Sequence, residues 1–250
     1  MNSLFGSAPA DPDSCSGPPA SWRPDGAGAL GSSLASVTLT HVQYDPADPL
    51  GKGLAAASLL PIAILVSFVT LVVFNRDLAT SLAFAGQLLN EAVNYVLKHT
   101  IREPRPTSHL GKGFGMPSSH AQFMWYFAVF LSLYTLFRLS FRFALWKLVI
   151  IGGLVASAAA VSYSRVHLEY HTSEQVLVGS VLGSAFGCLW FFVVELVVVP
   201  AFHWSGVLGI NGFIGKYLLV RDTRHIPNLL AAQRTWALDH ELSTSAKKKQ

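Results

Sequence analysis

The chain has 250 residues, 51% of them hydrophobic and only 13% charged, with a formal net charge of +4 and a mean hydropathy of +0.42. Soluble domains carry about 25% charged residues, so this balance excludes an ordinary water-soluble domain and points to a single integral membrane unit. The excess of cations is no nucleic-acid footprint, because no basic stripe is interleaved with aromatics. The two cysteines, Cys15 in a polar stretch and Cys188 in an apolar run, suggest neither a disulfide nor a thiolate metal site.

Residues 1–35 are rich in Ser, Gly, Ala, Pro and Asp. That composition offers too little apolar surface to offset the entropy of ordering, so a disordered tail is expected. It also lacks the charged-then-apolar pattern of a signal peptide. Ser36–Tyr44, "SVTLTHVQY", alternates loosely and reads as a short extended or interfacial segment.

A membrane span needs about 17–25 mostly apolar residues. Leu54–Phe74 qualifies, with Pro61 tolerable near its start. Leu78–Leu97 is more polar: it holds Gln87, Asn90, Glu91 and Asn94. A charge at mid-membrane costs at least ~2.5 kcal/mol, so this helix must turn its polar side inward. Gln87, Glu91, Asn94 and Lys98 follow one another by 4, 3 and 4 residues and share one helical face. Two readings stand: a seam that joins helices, or the wall of a wet cavity with Lys98 at its mouth.

Ala121–Phe137 and Leu148–Tyr163 are shorter spans, and Lys147 can snorkel at one end of the second. Val176–Ala201 is the longest. Glu195 within it marks an interface or a buried partner, and Gly179, Gly183 and Gly187 form a ridge that admits another backbone. The expected fold is all-α, a polytopic transmembrane helix bundle of about five spans. It would occupy residues 36–230, with a C-terminal tail over 231–250.

Five spans place the two ends on opposite sides of the membrane. Seven Lys and Arg then lie on the N-terminal side and eleven on the other, among them Lys247–Lys249. The positive-inside rule makes the second side cytosolic. Lysines third and fourth from the end suit a dilysine retrieval signal, or simply a solvated basic tail.

The connections on the N-terminal side carry nearly all the chemistry. They read "KHTIREPRP" from Lys98, "GMPSSH" from Gly115, and "SRVHLEYHTSEQ" from Ser164. Lys98, Arg105 and Arg165 come with His120 and His171 and little carboxylate, a composition that suits a reacting anion. Arg binds phosphate through a planar fork and Lys as a point charge. Three such cations could stabilise the equatorial oxygens of a transferring phosphoryl group.

Ser118 or Ser119 can cap the helix that follows, and Pro117 pre-sets its entry. The free N–H groups of that first turn make an anion site, and His120 stands where a general acid would. The plainer alternative is a Ser-capped helix with an interfacial histidine. His171 is the better nucleophile, since imidazole attack gives a phospho-histidine and splits one displacement into two. Its other nitrogen needs a partner, for which Glu174 and Gln175 lie one turn away. His99, His109 and His167 read as surface or rim residues. His/Asp/Glu spacing for a metal is absent.

Three motifs in this order, Lys98-x6-Arg105-Pro106, Pro117-Ser118-Ser119-His120 and Ser164-Arg165-x5-His171, resemble those of the type 2 phosphatidic acid phosphatase superfamily. The stretches "VTLTHVQY", "NEAVNYVLK", "EPRP", "GMPSSHAQFMW", "VSYSRVHLEYHTSEQVL" and "LLVRDTRHIPN" resemble its dolichyldiphosphatase branch over about residues 36–230. Two positions depart from the general pattern. Ser119 stands where glycine is usual, and Gln175 where an aspartate usually orients the nucleophile; the dolichyldiphosphatase branch shares both.

The resemblance implies that Lys98, Arg105 and Arg165 hold the phosphate, with Ser118 and the Ser119 backbone adding donors. It implies that His120 protonates the leaving group, that His171 attacks with Gln175, or Glu174 in its place, as its orienting partner, and that no metal or other cofactor is needed. The implied substrate is dolichyl diphosphate, its polyprenyl tail in the bilayer and its headgroup at the lumenal face of the endoplasmic reticulum. Alternatives are a phosphatase of another lipid phosphate, or a non-catalytic polyprenyl-phosphate binding or flipping protein. No protein partner is indicated.

Overall fold

The computed structural model describes residues 35–37, 42–44, 47–106, 113–139, 141, 143–205, 217, 220, 222 and 229–248. The disordered tail expected before residue 35, His109, Lys112, and nearly all of residues 206–228 lie outside them.

The expected extended segment near residue 40 contains two short antiparallel strands, β1 (Ala35–Val37) and β2 (Val42–Tyr44), with Ala35 opposite Tyr44 and Val37 opposite Val42. All other regular structure among the described residues is helical.

The span expected over Leu54–Phe74 is two helices, α1 (Pro49–Ala57) and α2 (Leu60–Asn75). The break follows from Pro61, which has no N–H to continue the ladder. Ser58 there turns its hydroxyl onto the Ala55 carbonyl at 2.7 Å. Helix α3 (Leu78–Ile101) begins where Asp77 accepts from the Thr80 N–H at 3.1 Å. It ends at Arg102, whose φ of 56° is left-handed and turns the chain into the Glu103–Pro106 loop.

Helices α4 (Ser119–Phe137) and α5 (Leu145–His167) match the expected runs, and α6 (Ser173–Val193) begins the run expected over Val176–Ala201, each extended by a few residues toward the charged loops. Past α6 the helix widens through a π turn, Val194–Val198, into α7 (Val199–Trp204). Pro200 supplies the reason, since its ring would clash with the carbonyl four residues back. The C-terminal tail is itself helical, α8 (Leu229–Lys248). Three described stretches are long and apolar enough to cross a membrane: Pro49–Asn75, Leu145–His167 and Ser173–Trp204.

Helix α4 is the centre of the bundle. Phe123, Met124 and Ala128 pack with Ala158 and Val161 of α5, and Tyr126 and Phe130 with Phe191 of α6, Ala83 of α3 and Phe68 of α2. The glycine ridge of α6 abuts the α4 backbone. A Cβ on Gly179, Gly183 or Gly187 would lie 2.6, 2.2 or 2.9 Å from the carbonyl oxygens of Ser118, Gln122 and Tyr126. Only glycine permits that approach.

The polar seam of α3 joins helices. Gln122 of α4 donates to the Asn90 side chain (2.9 Å) and backbone carbonyl (3.0 Å), and accepts from Asn94 Nδ2 at 2.8 Å. Asn90 thus belongs to the seam, while Glu91 is half-buried beside it. The fully buried Gln87 amide has no hydrogen-bond partner among the described residues.

Candidate active site

The α4–α6 contact fixes the two helix N-termini side by side: the Ser118 N–H donates to the Gln175 carbonyl at 3.1 Å. The Glu103–Pro106 loop joins the same place, because the Gly115 N–H donates to the Glu103 carbonyl at 2.7 Å. The three charged connections expected from the sequence therefore converge.

They enclose a cavity of about 310 Å³ lined by Arg105, Ser119, His120, Arg165, Tyr170 and His171. Its other wall is mostly apolar and local to the N-terminal elements: Val42 of β2, Ser58 and Leu59 at the α1–α2 break, and Ile62. Val42 also packs with Ala55, Leu168 and Tyr170. The Gln43 N–H donates to the Tyr170 hydroxyl at 2.9 Å, so β2 is pinned over the site.

Five expected residues, Arg105, Ser119, His120, Arg165 and His171, line this one cavity. Lys98 does not line it, but its charge acts on His171 together with those of Arg105 and Arg165. Ser118 occupies the N-cap position of α4, yet its hydroxyl makes no capping bond. Instead its Oγ is buried without a partner, as are Arg105 Nε and Arg165 Nε and Nη2, among the described residues. Arg165 is only 4% exposed. Buried guanidinium donors left unpaired are costly, and an anion among these groups would supply the missing acceptors. Each charge-assisted bond to it is worth ~1.5–3 kcal/mol.

Sequence reasoning missed Tyr170. The Arg165 guanidinium carbon lies 4.7 Å from its ring centroid, a cation–π contact that holds the fork in place. Its position next to His171 was the available signal. His167 is also more than a rim residue. Its Nε2 lies 2.7 Å from Asp48 Oδ2, and this hydrogen bond holds the Asp48 carboxyl below its ordinary range. Asp48 also caps α1, so the pair ties α1 to the end of α5. His99 is exposed, its ring tilted 40° against that of Tyr95.

His171 is buried, 4% exposed, with Nδ1 3.1 Å from Gln175 Oε1. Glu174, the alternative partner, is exposed. Gln175 is also the third residue of a capping box: its N–H donates to Thr172 Oγ1 at 3.2 Å, and its Oε1 accepts from the Thr172 N–H at 3.4 Å. Since Gln175 offers an acceptor, His171 Nδ1 carries the proton and Nε2 keeps its lone pair. Burial pushes the His171 imidazole down to about 4. Gln175 opposes that shift, and the cations Arg105, Lys98 and Arg165 add to it. At neutral pH the ring is therefore uncharged, as a nucleophile requires.

Residues 77–197 match the family model described as the PAP2 superfamily. The chain is 44% identical over 222 residues to Dolichyldiphosphatase 1 of Rhinolophus ferrumequinum and 42% identical to that of Homo sapiens; each match covers 85% of this chain and 87% of the relative. It is 39% identical over 203 residues to Lipid phosphate phosphatase gamma of Arabidopsis thaliana, covering 79% of this chain and 88% of that one. No solved structure matches the chain.

Proposed function

The chain belongs to the PAP2 superfamily, within its dolichyldiphosphatase group, and from that membership we propose that it hydrolyses dolichyl diphosphate to dolichyl phosphate and inorganic phosphate. The observation that carries the reading is the convergence of unpaired guanidinium donors of Arg105 and Arg165 with two histidines on one cavity.

In the proposed reaction, Lys98, Arg105 and Arg165 hold the terminal phosphoryl oxygens, with Ser118 Oγ and the first-turn amides of α4 as further donors. The lone pair on His171 Nε2 attacks the terminal phosphorus. The bond from phosphorus to the bridging oxygen breaks, and His120, held protonated by the negative charge of the bound diphosphate, gives its proton to the departing dolichyl phosphate. Water then attacks the phospho-histidine, giving a proton to His120. The phosphorus–nitrogen bond breaks, releasing inorganic phosphate and neutral His171. Phosphate esters cleave so slowly unaided that the site must lower the barrier by about 20 kcal/mol. Fixed cations around a buried phosphoryl group are suited to that. A phosphate leaving group needs less proton assistance than an alkoxide would.

The polyprenyl tail lies in lipid and the cavity opens at the lumenal face of a multi-pass endoplasmic reticulum protein of about five spans. Residues 36–230 form the phosphatase domain, and 231–250, with Lys247–Lys249, lie in the cytosol. Recycling the lipid carrier of N-glycosylation would be the consequence. The charge asymmetry of the loops supports this orientation.

The similarity to a lipid phosphate phosphatase supports a second reading, in which a lipid monophosphate is preferred. Purified protein assayed on dolichyl diphosphate, dolichyl phosphate and phosphatidate separates the two. Highest kcat/KM on the diphosphate is expected, and faster turnover of either monophosphate overturns the dolichyl diphosphate assignment.

A further inference from the structure

His171 is oriented by an amide, and an amide brings no charge to offset the positive charge an imidazole gains when it attacks phosphorus. The structure holds a carboxylate one residue further back. Gln175 Nε2 donates to Glu103 Oε1 at 2.7 Å and to the Pro104 carbonyl at 2.9 Å. These two acceptors lie on one side of the amide; the Thr172 N–H and His171 Nδ1 lie on the other, at 3.4 and 3.1 Å. Only one amide orientation satisfies all four, with NH₂ toward Glu103 and oxygen toward the ring. Glu103, together with the Pro104 carbonyl and the Thr172 N–H, therefore selects the flip of Gln175, and Gln175 selects the tautomer of His171.

We propose that Glu103 is a positioning residue for phosphoryl transfer, acting through Gln175 to fix the His171 tautomer and to supply the negative charge that a directly bonded carboxylate would otherwise provide. This rests on the proposed role of His171 as nucleophile. The other charged groups bearing on His171 are cations, Arg105, Lys98 and Arg165, with His120 across the cavity. Glu103 is the one carboxylate in hydrogen-bonded connection with the ring among the described residues. Its backbone is itself held, since its carbonyl accepts from Gly115 at 2.7 Å. Such an orienting group contributes to turnover and not to ground-state binding.

Glu103→Gln in the full-length protein tests this, because the substituted side chain keeps an oxygen that accepts from Gln175 while the charge is gone. The expected result on dolichyl diphosphate is a kcat lower by about 10-fold, with KM within about 2-fold and melting temperature unchanged. Removing a negative charge disfavours the imidazolium, so the acid limb of kcat/KM moves to lower pH. The double variant E103Q/Q175E puts the carboxylate on the ring directly and recovers part of kcat. A wild-type kcat and acid limb in E103Q overturn the proposal. So does a lower kcat that tracks a lost melting temperature and is not recovered in E103Q/Q175E. His171→Asn in parallel separates the two levels: phosphate release by H171N overturns the nucleophile assignment itself, whereas an inactive H171N beside a wild-type-like E103Q overturns only the role of Glu103.

Discussion

Gly115 lies directly against the Gln175 amide: a Cβ at position 115 would come within 2.6 Å of Oε1 and 2.7 Å of Nε2. A flexible side chain could ordinarily move aside, but this amide is held from both sides. The Gly115→Ala variant is therefore expected to fold and to lose about 10-fold or more in kcat, with KM little changed, because displacing Gln175 frees the His171 ring. Steady-state kinetics on dolichyl diphosphate check it. Wild-type turnover in G115A would mean that the amide contact is not used.

Of the three ridge glycines of α6, Gly183 has the least room: an added Cβ would lie 2.2 Å from the Gln122 carbonyl oxygen. Backbone cannot rotate away, so Gly183→Ala must push α6 from α4. Overpacking of this kind costs about 1–3 kcal/mol. Gly152→Ala in α5, where nothing lies within 4 Å of the added carbon, is the control. Thermal unfolding in detergent is expected to show a lower midpoint for G183A and an unchanged or higher one for G152A.

Two buried glutamines are expected to respond oppositely to removal. Gln122 closes the seam with Asn90 and Asn94, so Gln122→Met strands those partners at about 1–3 kcal/mol. Gln87 has no partner to strand among the described residues, so Gln87→Met removes a desolvated amide and raises the unfolding midpoint. The same melting measurement decides both.

The depressed imidazole of His171 makes stability fall with acid. Above the ordinary histidine value of 6.5 the ring is neutral in both folded and unfolded chains, and pH has no effect through it. Between 6.5 and about 4 the unfolded chain takes a proton that the folded chain declines. Stability is then lost at a rate approaching about 1.4 kcal/mol per pH unit. His171→Asn removes this dependence. Denaturant unfolding of both proteins from pH 7 to 4 should give stabilities whose difference changes over that window, and parallel curves would contradict the shift.

The sequence made the parts of this molecule readable where physics is local. The apolar runs bound α4, α5 and the start of α6 to within a few residues, but Pro61, expected to be tolerable inside one span, divides α1 from α2, and the caps Asp77 and Thr172 and the helix-disturbing Pro200 went unread. Gly179, Gly183 and Gly187 announced a close backbone contact but not its partner, because nothing on a ridge names the helix that fills it. Gln122 was hidden inside an apolar run, so the seam of α3 lacked its other half. The three motif loops pointed to one anion site. Glu103 escaped notice although it stands within "REPRP", because its partner Gln175 is 72 residues away and meets it only once α4 and α6 are packed. The choice between Glu174 and Gln175 likewise depended on burial, which one helical turn of sequence does not encode.

The central claim is that His171 takes the phosphoryl group inside the Arg105–Arg165 cavity. Rapid acid-free quenching of the enzyme with dolichyl diphosphate labelled in its terminal phosphate measures this directly. The expected result is an acid-labile, alkali-stable label on the peptide carrying His171, accumulating when His120→Asn slows hydrolysis and absent from H171N. Phosphate release at the wild-type rate with no protein-bound label, or label on another residue, would contradict it.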